Sequence, residues 1–121
     1  SRKPRLQRRR SQQEIMSDGV FVYVTFATAS EAERIGRSAI EADLAACVNV
    51  LPAHHSLYRW DGGIESASEH IALFKTVKAS EDALRAWIEK NHSYDCPCIA
   101  SIDITKLNSD FAAWLQPKPA F

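Results

Sequence analysis

The sequence has no long hydrophobic run and few cysteines or glycines, and each shortage excludes a class of protein. No apolar segment reaches the length of a membrane span, and there is no secretory hydrophobic segment. The three cysteines are an odd number, and Cys96 and Cys98 are too close together to pair readily, so no disulfide framework is indicated. The four glycines form no phosphate-binding motif. These absences favour a reducing, intracellular location, and we predict a cytoplasmic one with no membrane partner.

Composition and length predict one ordinary globular domain. The chain has 121 residues, of which 45% are hydrophobic and 25% are charged, enough for a hydrophobic core of its own. Its 15 basic and 15 acidic residues balance overall, but residues 1–13 contain six arginine or lysine side chains and no acid. We therefore predict a flexible basic arm over 1–17, of vector-derived or upstream origin, and one domain over 18–121. A transit peptide is an alternative for the arm.

Basic charge on an appendage raises the question of nucleic acid. Proteins that bind nucleic acid usually carry their basic charge on the folded surface, whereas here the remainder of the chain is acidic. Nucleic acid is therefore not an expected partner, although a binding module acting through the arm is kept as an alternative function.

Hydrophobic periodicity predicts alternating strands and helices. The apolar run Val20–Phe26 predicts a buried strand, and Ser30 with Glu33 forms a capping-box pattern that predicts a helix over 31–43. Ser80 is predicted to cap a second helix. Period-2 alternation over Ser56–Trp60, closed by Asp-Gly, is a strong hairpin pattern. The other predicted strands are Ala45–Leu51, His70–Val77 and Cys98–Ile104, and a short helix follows at Asp110–Leu115.

The order of these elements is β-α-β-β-α-β followed by a terminal helix. This is the order of the ferredoxin-like fold, and the predicted class is therefore an α+β sandwich. The second strand lies at a sheet edge in this topology and carries little charge, which leaves it open to pairing with another chain. Tyr58 and Trp60 are accordingly predicted to face a neighbouring subunit.

Four sequence blocks also resemble a known family. The blocks "LAACVNVLP", "SLYRWDGGIE", "LFKT" and "HSYDCP" occur in the order and at the spacings typical of the CutA family of divalent-cation tolerance proteins, and the similarity extends over Val20–Leu115. The resemblance implies a ferredoxin-like protomer, a homotrimer similar to the PII signalling proteins, and a role in tolerance to copper and other divalent cations. It implies no catalysed reaction.

The candidate metal ligands lie in the loop Asn91–Cys98. This loop keeps His92, Tyr94 and Pro97 of the family pattern, but Ser93 and Cys98 replace a proline and a glutamate. Val24 and Asn91 occupy positions that are ligands in some copper-binding members. The candidate metal ligands are therefore His92, Cys96 and Cys98, and the candidate ions are copper or zinc, with Cu(I) or Zn(II) favoured because thiolates are soft ligands.

Two other groups of side chains are candidates for binding a metal ion or a small molecule. His54 and His55 are adjacent on a strand and so point to opposite faces, which argues against a joint metal site. The family resemblance places a polar cleft between subunits, and the residues predicted to line it and bind a small ligand are Tyr58, Trp60, Glu69, Lys75 and Tyr94. Glu69 and Lys75 also fit an ordinary ion pair on one strand face.

An enzyme remains an alternative. Cys98 and His92 could form a thiolate–imidazolium pair for nucleophilic catalysis. The sequence offers neither a third orienting group at a recognisable spacing nor a glycine-rich oxyanion loop. We therefore predict a binding protein, not an enzyme.

Overall fold

The computed structural model describes residues 13–118 and has the predicted α+β, ferredoxin-like order of elements. Two short strands, β1 and β7, are added to that order. The elements are β1 (Glu14–Met16), β2 (Gly19–Phe26), α1 (Ala29–Glu41), β3 (Cys47–Val50), β4 (His54–Trp60), β5 (Gly63–Val77), α2 (Lys78–Asn91), β6 (Ile99–Asp103), β7 (Lys106–Asn108) and α3 (Ser109–Trp114). Within residues 13–118, no helix is long and apolar enough to cross a membrane.

The main sheet is antiparallel, in the order β3-β5-β2-β6. The 15-residue strand β5 pairs with β2 and β3 through its second half and with β4 through its first half. The β4–β5 hairpin therefore extends from the body of the sheet. Among the described strands, β3 and β6 are the two ends of the sheet order, so each has one unpaired edge.

One face of the sheet is covered by the helices. Alternate residues of β2, from Val20 to Phe26, are completely buried and pack with Ala72 and Phe74 of β5. Helix α1 contributes Ile35 and helix α2 contributes Leu84 and Ile88, which lie at helical spacing on the side that faces the sheet.

The other face is only partly covered. The ladder registers place Cys47, Lys75, Phe21 and Ile102 in one row across the four strands. Because side chains alternate between faces, these residues point away from the helices. We call the surface formed by this row and the adjacent row Asn49, Leu73, Tyr23 and Ala100 the open face. Its side chains are half-buried or exposed in the single chain.

Both predicted helix caps are wrong. Helix α1 is capped by Thr28, whose hydroxyl accepts a hydrogen bond from Glu31 N, and Ser30 lies inside the helix. The sequence "TASEAE" contains the capping pattern in two overlapping frames, and the helix uses the first of them. Helix α2 begins at Lys78 directly after β5, with Val77 as a cap that offers no side-chain hydrogen bond, so Ser80 also lies inside its helix.

The predicted hairpin is confirmed. Trp60 pairs with Gly63, and the two intervening residues Asp61 and Gly62 have φ values of 49° and 78°. Positive φ at both central residues is characteristic of a type I′ turn, whose twist matches that of the flanking strands.

The predicted arm overlaps a strand. Residues 1–12 lie outside the described part of the chain, but Glu14–Met16 pairs with Lys106–Asn108 in a two-stranded ribbon. Ser109 N donates to Gln13 O and Ser17 N donates to Thr105 O at its two ends. The predicted boundary between residues 17 and 18 therefore falls between two strands that are both paired.

Candidate functional site

The loop after α2 is attached to three other elements by three consecutive residues. His92 ends α2 and is buried, with its ring stacked on Phe26 at 4.6 Å between centroids and 9° between planes. Its Nε2 lies 2.8 Å from the carbonyl oxygen of Thr25, and its Nδ1 accepts a hydrogen bond from Tyr94 N at 3.0 Å. Both ring nitrogens are therefore used in fixing the loop to β2.

Ser93 attaches the same loop to helix α1. The Glu31 carboxylate, on a residue that is only 8% exposed, accepts hydrogen bonds from Ser93 N and Ser93 Oγ, both at 2.9 Å. A proline in place of Ser93 would supply neither donor. The sequence reasoning missed Glu31, although a serine with a free N–H in place of the family's proline indicated that a new acceptor was needed.

Tyr94 connects the loop to β5. Its hydroxyl donates to Glu69 Oε2 at 2.8 Å. Burial, followed by the hydrogen bond to Glu69 and the negative charge of Glu69, raises the pKa of Tyr94 from 10.0 to about 12. The phenol therefore stays protonated at physiological pH and acts as a hydrogen-bond donor.

Three of the five predicted ligand-binding residues lie together. Tyr58 is close enough to Tyr94 to affect its pKa, and Glu69 contacts Tyr94 directly. Trp60 lies on the same face of β4 as Tyr58 but nearer the turn, and it is 64% exposed. We call Tyr58, Glu69 and Tyr94, with His54 of the same hairpin face, the hairpin-base cluster.

Lys75 lies elsewhere. It is six residues from Glu69 along β5, about 20 Å in an extended strand, and its Nζ lies 5.5 Å from the ring centroid of Phe111 and 6.0 Å from that of Phe21. These are cation–π distances. Among the described residues, the ion pairs are those of Lys78 with Glu81 and with Asp103, so the alternative of a Glu69–Lys75 pair is not formed.

His54 is the residue of the hairpin-base cluster that sequence reasoning set aside. It stands directly opposite Glu69 in the β4–β5 ladder, and its Nε2 is 3.0 Å from Ser56 Oγ. Its Nδ1 is buried and has no hydrogen-bond partner among the described residues. The predicted two-residue Asp61–Gly62 turn fixes the register and so could have indicated the pairing of His54 with Glu69, but the sequence reasoning did not extend the register that far.

The predicted metal ligands have different surroundings. Cys96 and Cys98 are free and exposed, and Cys47 is half-buried at the edge strand β3. A metal ion at His92 would have to replace one of its two backbone hydrogen bonds. Within residues 13–118, no three histidine, cysteine or acidic side chains form a group that could hold a metal ion together.

Comparison with known proteins identifies a single family. Residues 20–118 match the model of the CutA1 divalent ion tolerance protein family. The divalent-cation tolerance protein CutA of Thermococcus kodakarensis is 37% identical over 98 residues, which cover 81% of this chain and 93% of the relative.

Solved structures agree. The structure of CutA from Synechococcus elongatus has a TM-score of 0.81 at 31% identity and covers 85% of this chain and 92% of that one. The structure of the periplasmic divalent cation tolerance protein CutA from Archaeoglobus fulgidus has a TM-score of 0.77 at 36% identity, covering 80% and 94% of the two chains.

Proposed function

The chain belongs to the CutA1 divalent ion tolerance protein family, and from this premise we propose that it acts as a homotrimer that binds a metal ion or a small molecule in clefts between its subunits. The relatives are named for cation tolerance and not for a reaction. The proposed activity is therefore binding. The hydrogen bonds of His92 to Thr25 and Tyr94 support this view, because they occupy the ring that a Cys98 nucleophile would need as its base.

The observation that carries the proposed assembly is the apolar surface of the β4–β5 hairpin. Leu57 is 74% exposed and Ile64 79% on one face of the hairpin, and Trp60 is 64% exposed on the other face. Neighbouring apolar side chains of this size on a projecting hairpin are typical of a surface that another protein covers. The unpaired edges of β3 and β6 add to this, because a repeated contact between two different surfaces of one chain can close into a ring.

The proposed small-ligand site is the hairpin-base cluster together with Trp60. Aromatic walls with a few converging polar groups are typical of such sites. Tyr94 is well suited to a fixed role there, since its loop is attached to β2, α1 and β5. Lys75 lies on the open face, away from the hairpin-base cluster. We propose that it contacts a ligand only where a second subunit covers that face.

For metal, the proposal keeps Cys96 and Cys98 as candidate ligands. Both thiols are free and exposed, and paired thiolates favour Cu(I) or Zn(II) over Cu(II). His92 joins them only if it exchanges its hydrogen bond with Tyr94 N for the ion.

The three free cysteines also support a reducing compartment, and we propose the cytoplasm, although the Archaeoglobus relative is named as periplasmic.

Light scattering coupled to size exclusion tests the assembly. The native chain should elute with three times its mass of 13.5 kDa. Ile64→Ser on the hairpin should shift the mass towards that of one chain. The matched control is Ile15→Ser, another exposed isoleucine that lies on β1, and it should leave the mass unchanged. A single-chain mass for the native protein at micromolar concentration would contradict the proposal.

Titration of the reduced protein tests the thiol site. The native chain should bind Cu(I) more tightly than Cu(II), and a Cys96→Ser/Cys98→Ser variant should lose the Cu(I) site. Cu(I) binding that is unaffected by this double substitution would remove the two thiols from the proposal.

A further inference from the structure

The imidazole of His54 has one nitrogen held and the other without a partner. Nε2 is 3.0 Å from Ser56 Oγ, which is the next residue on the same face of β4. Nδ1 is buried and has no hydrogen-bond partner among the described residues. Leaving a buried polar atom unpaired costs about 1–3 kcal/mol, so such an atom in a folded protein calls for an occupant.

Glu69 lies directly across the ladder from His54. Directly opposite side chains in an antiparallel pair have Cβ atoms about 4.5–5.5 Å apart. Among the described residues these two side chains form no ion pair with each other, so an ion bound by both would draw them together. One oxygen of Glu69 accepts the hydroxyl of Tyr94 at 2.8 Å. The hydroxyl of Tyr94 thereby orients the Glu69 carboxylate, and Ser56 orients the His54 ring in the same way.

This arrangement is typical of metal ligands. Imidazoles and carboxylates that bind metal are usually held by hydrogen bonds from a second layer of residues, which fix the ring tautomer and the direction of the lone pairs. A proton on His54 Nε2, donated to Ser56 Oγ, leaves the lone pair on Nδ1. The free nitrogen is then in the form that coordinates a cation.

The charge of the surrounding surface also favours a cation. The face of the hairpin that carries His54 also carries Ser56, Tyr58, Trp60, Glu65, Ala67 and Glu69. It therefore has two acidic residues and no lysine or arginine. Arg59 and His55 lie on the opposite face.

We propose that His54 Nδ1 and the Glu69 carboxylate bind one divalent transition-metal ion, with Ser56 and Tyr94 orienting the two ligands. A nitrogen and oxygen donor set suits Zn²⁺ or Cu²⁺. Water or a second subunit completes the coordination, since the described chain supplies two ligands here. The site lies in the hairpin-base cluster and rests on the proposed function in placing a ligand there, but it uses neither Cys96 nor Cys98 and does not require the trimer. Because Nδ1 is covered, binding includes a local opening at the start of β4.

Calorimetric titration of the reduced full chain with Zn²⁺, and separately with Cu²⁺, tests the site. The native protein should bind one ion per chain at this position. His54→Ala and Glu69→Gln should each weaken that binding by at least about tenfold, equivalent to about 1.4 kcal/mol. The matched control is His55→Ala, which removes an imidazole from the next residue on the opposite face and should leave the affinity unchanged. Cys96→Ser/Cys98→Ser should remove only the zinc bound at the separate thiol site and leave one ion per chain at His54 and Glu69.

A second measurement keeps the test independent of the stability of the variants. In the native protein labelled with ¹⁵N, Zn²⁺ should shift the Nδ1 resonance of His54 far more than its Nε2 resonance. The proposal is overturned if the native chain binds neither ion, if His55→Ala weakens binding as much as His54→Ala, or if His54 Nδ1 does not respond. Binding that disappears only in the double cysteine variant would also overturn it, while supporting the separate thiol site.

Discussion

The two ends of β5 belong to one strand but to two different environments. Within Ala72–Val77, the side chains of Ala72, Phe74, Thr76 and Val77 are completely or almost completely buried. Between Gly63 and Ser66 every residue is exposed, and the pairing partner is the single strand β4. The buried end is stabilised by the core of the chain itself, while the exposed end lacks such a core and presents apolar side chains outward. The difference places the stabilising contacts of the strand at one end and leaves the other end available for the proposed contact with a second subunit.

Truncation at the buried end should have the largest effect. Phe74→Ala removes a completely buried aromatic ring and should lower the free energy of unfolding by about 3–5 kcal/mol. Ile64→Ala at the exposed end should change it by less than about 0.5 kcal/mol when measured on the single chain. Denaturant unfolding, at a concentration where light scattering reports one chain, makes the comparison. Equal losses at both ends would show that the hairpin is packed within its own chain.

The middle of β5 is held by the loop after α2, and Glu31 is the deepest attachment of that loop. Glu31→Ala leaves Ser93 N and Ser93 Oγ without their acceptor and should cost about 1–3 kcal/mol in thermal or denaturant unfolding. Glu33→Ala is the matched control, because this exposed carboxylate lies two residues along the same helix. A loss as large in the control would mean that helix charge and not the loop attachment is responsible.

The exposed end depends on its turn. Gly62 has φ of 78°, and alanine there should cost about 1–2 kcal/mol, as left-handed backbone does for residues with a Cβ. The neighbouring Gly63 is not in that region, and a Cβ there would meet only Trp60 O at 3.8 Å. Gly63→Ala should therefore be almost neutral. The two variants are compared by the amide chemical shifts of the hairpin and by their unfolding midpoints. An equal loss of stability in both would argue against a type I′ turn.

The smallest effect concerns the titration of Tyr94 at the junction of the two ends. Its pKa of about 12 lies above the ordinary value of 10.0, so the folded chain holds the phenol proton more tightly than the unfolded chain. The resulting stabilisation is complete below pH 10 and disappears as the pH rises from about 10 to 12. Ultraviolet titration should show one late-ionising tyrosine that is absent in Tyr94→Phe. A late ionisation that persists in Tyr94→Phe, or that is missing from the native chain, would show that Tyr94 is not shielded.

The periodicity of the sequence was sufficient for the order of the elements but not for contacts between them. The apolar run of β2 and the Asp61–Gly62 turn each depend on local chemistry, and both were predicted correctly. The helix caps were wrong because two capping frames overlap at α1 and because α2 follows β5 without a loop.

The cluster was harder to predict for a physical reason. The partners in the hairpin-base cluster are distant in sequence, 25 residues apart for Tyr94 and Glu69, and they meet only through register and loop placement. A six-residue spacing put Glu69 and Lys75 on one face of β5, but it also put them far apart. His54 was judged by its neighbour His55, whereas its relevant neighbour is across the ladder.

The continuity of β5 has a consequence for how solvent reaches the backbone. Its amides run without interruption from a projecting hairpin into a strand with neighbours on both sides, so hydrogen–deuterium exchange along this one strand measures two different openings. Amides near Phe74 exchange only when most of the chain opens, whereas amides near Ile64 exchange through fraying of the hairpin. If a partner covers the hairpin, only the second group slows. Exchange near Phe74 therefore serves as an internal reference for exchange near Ile64, which reports association.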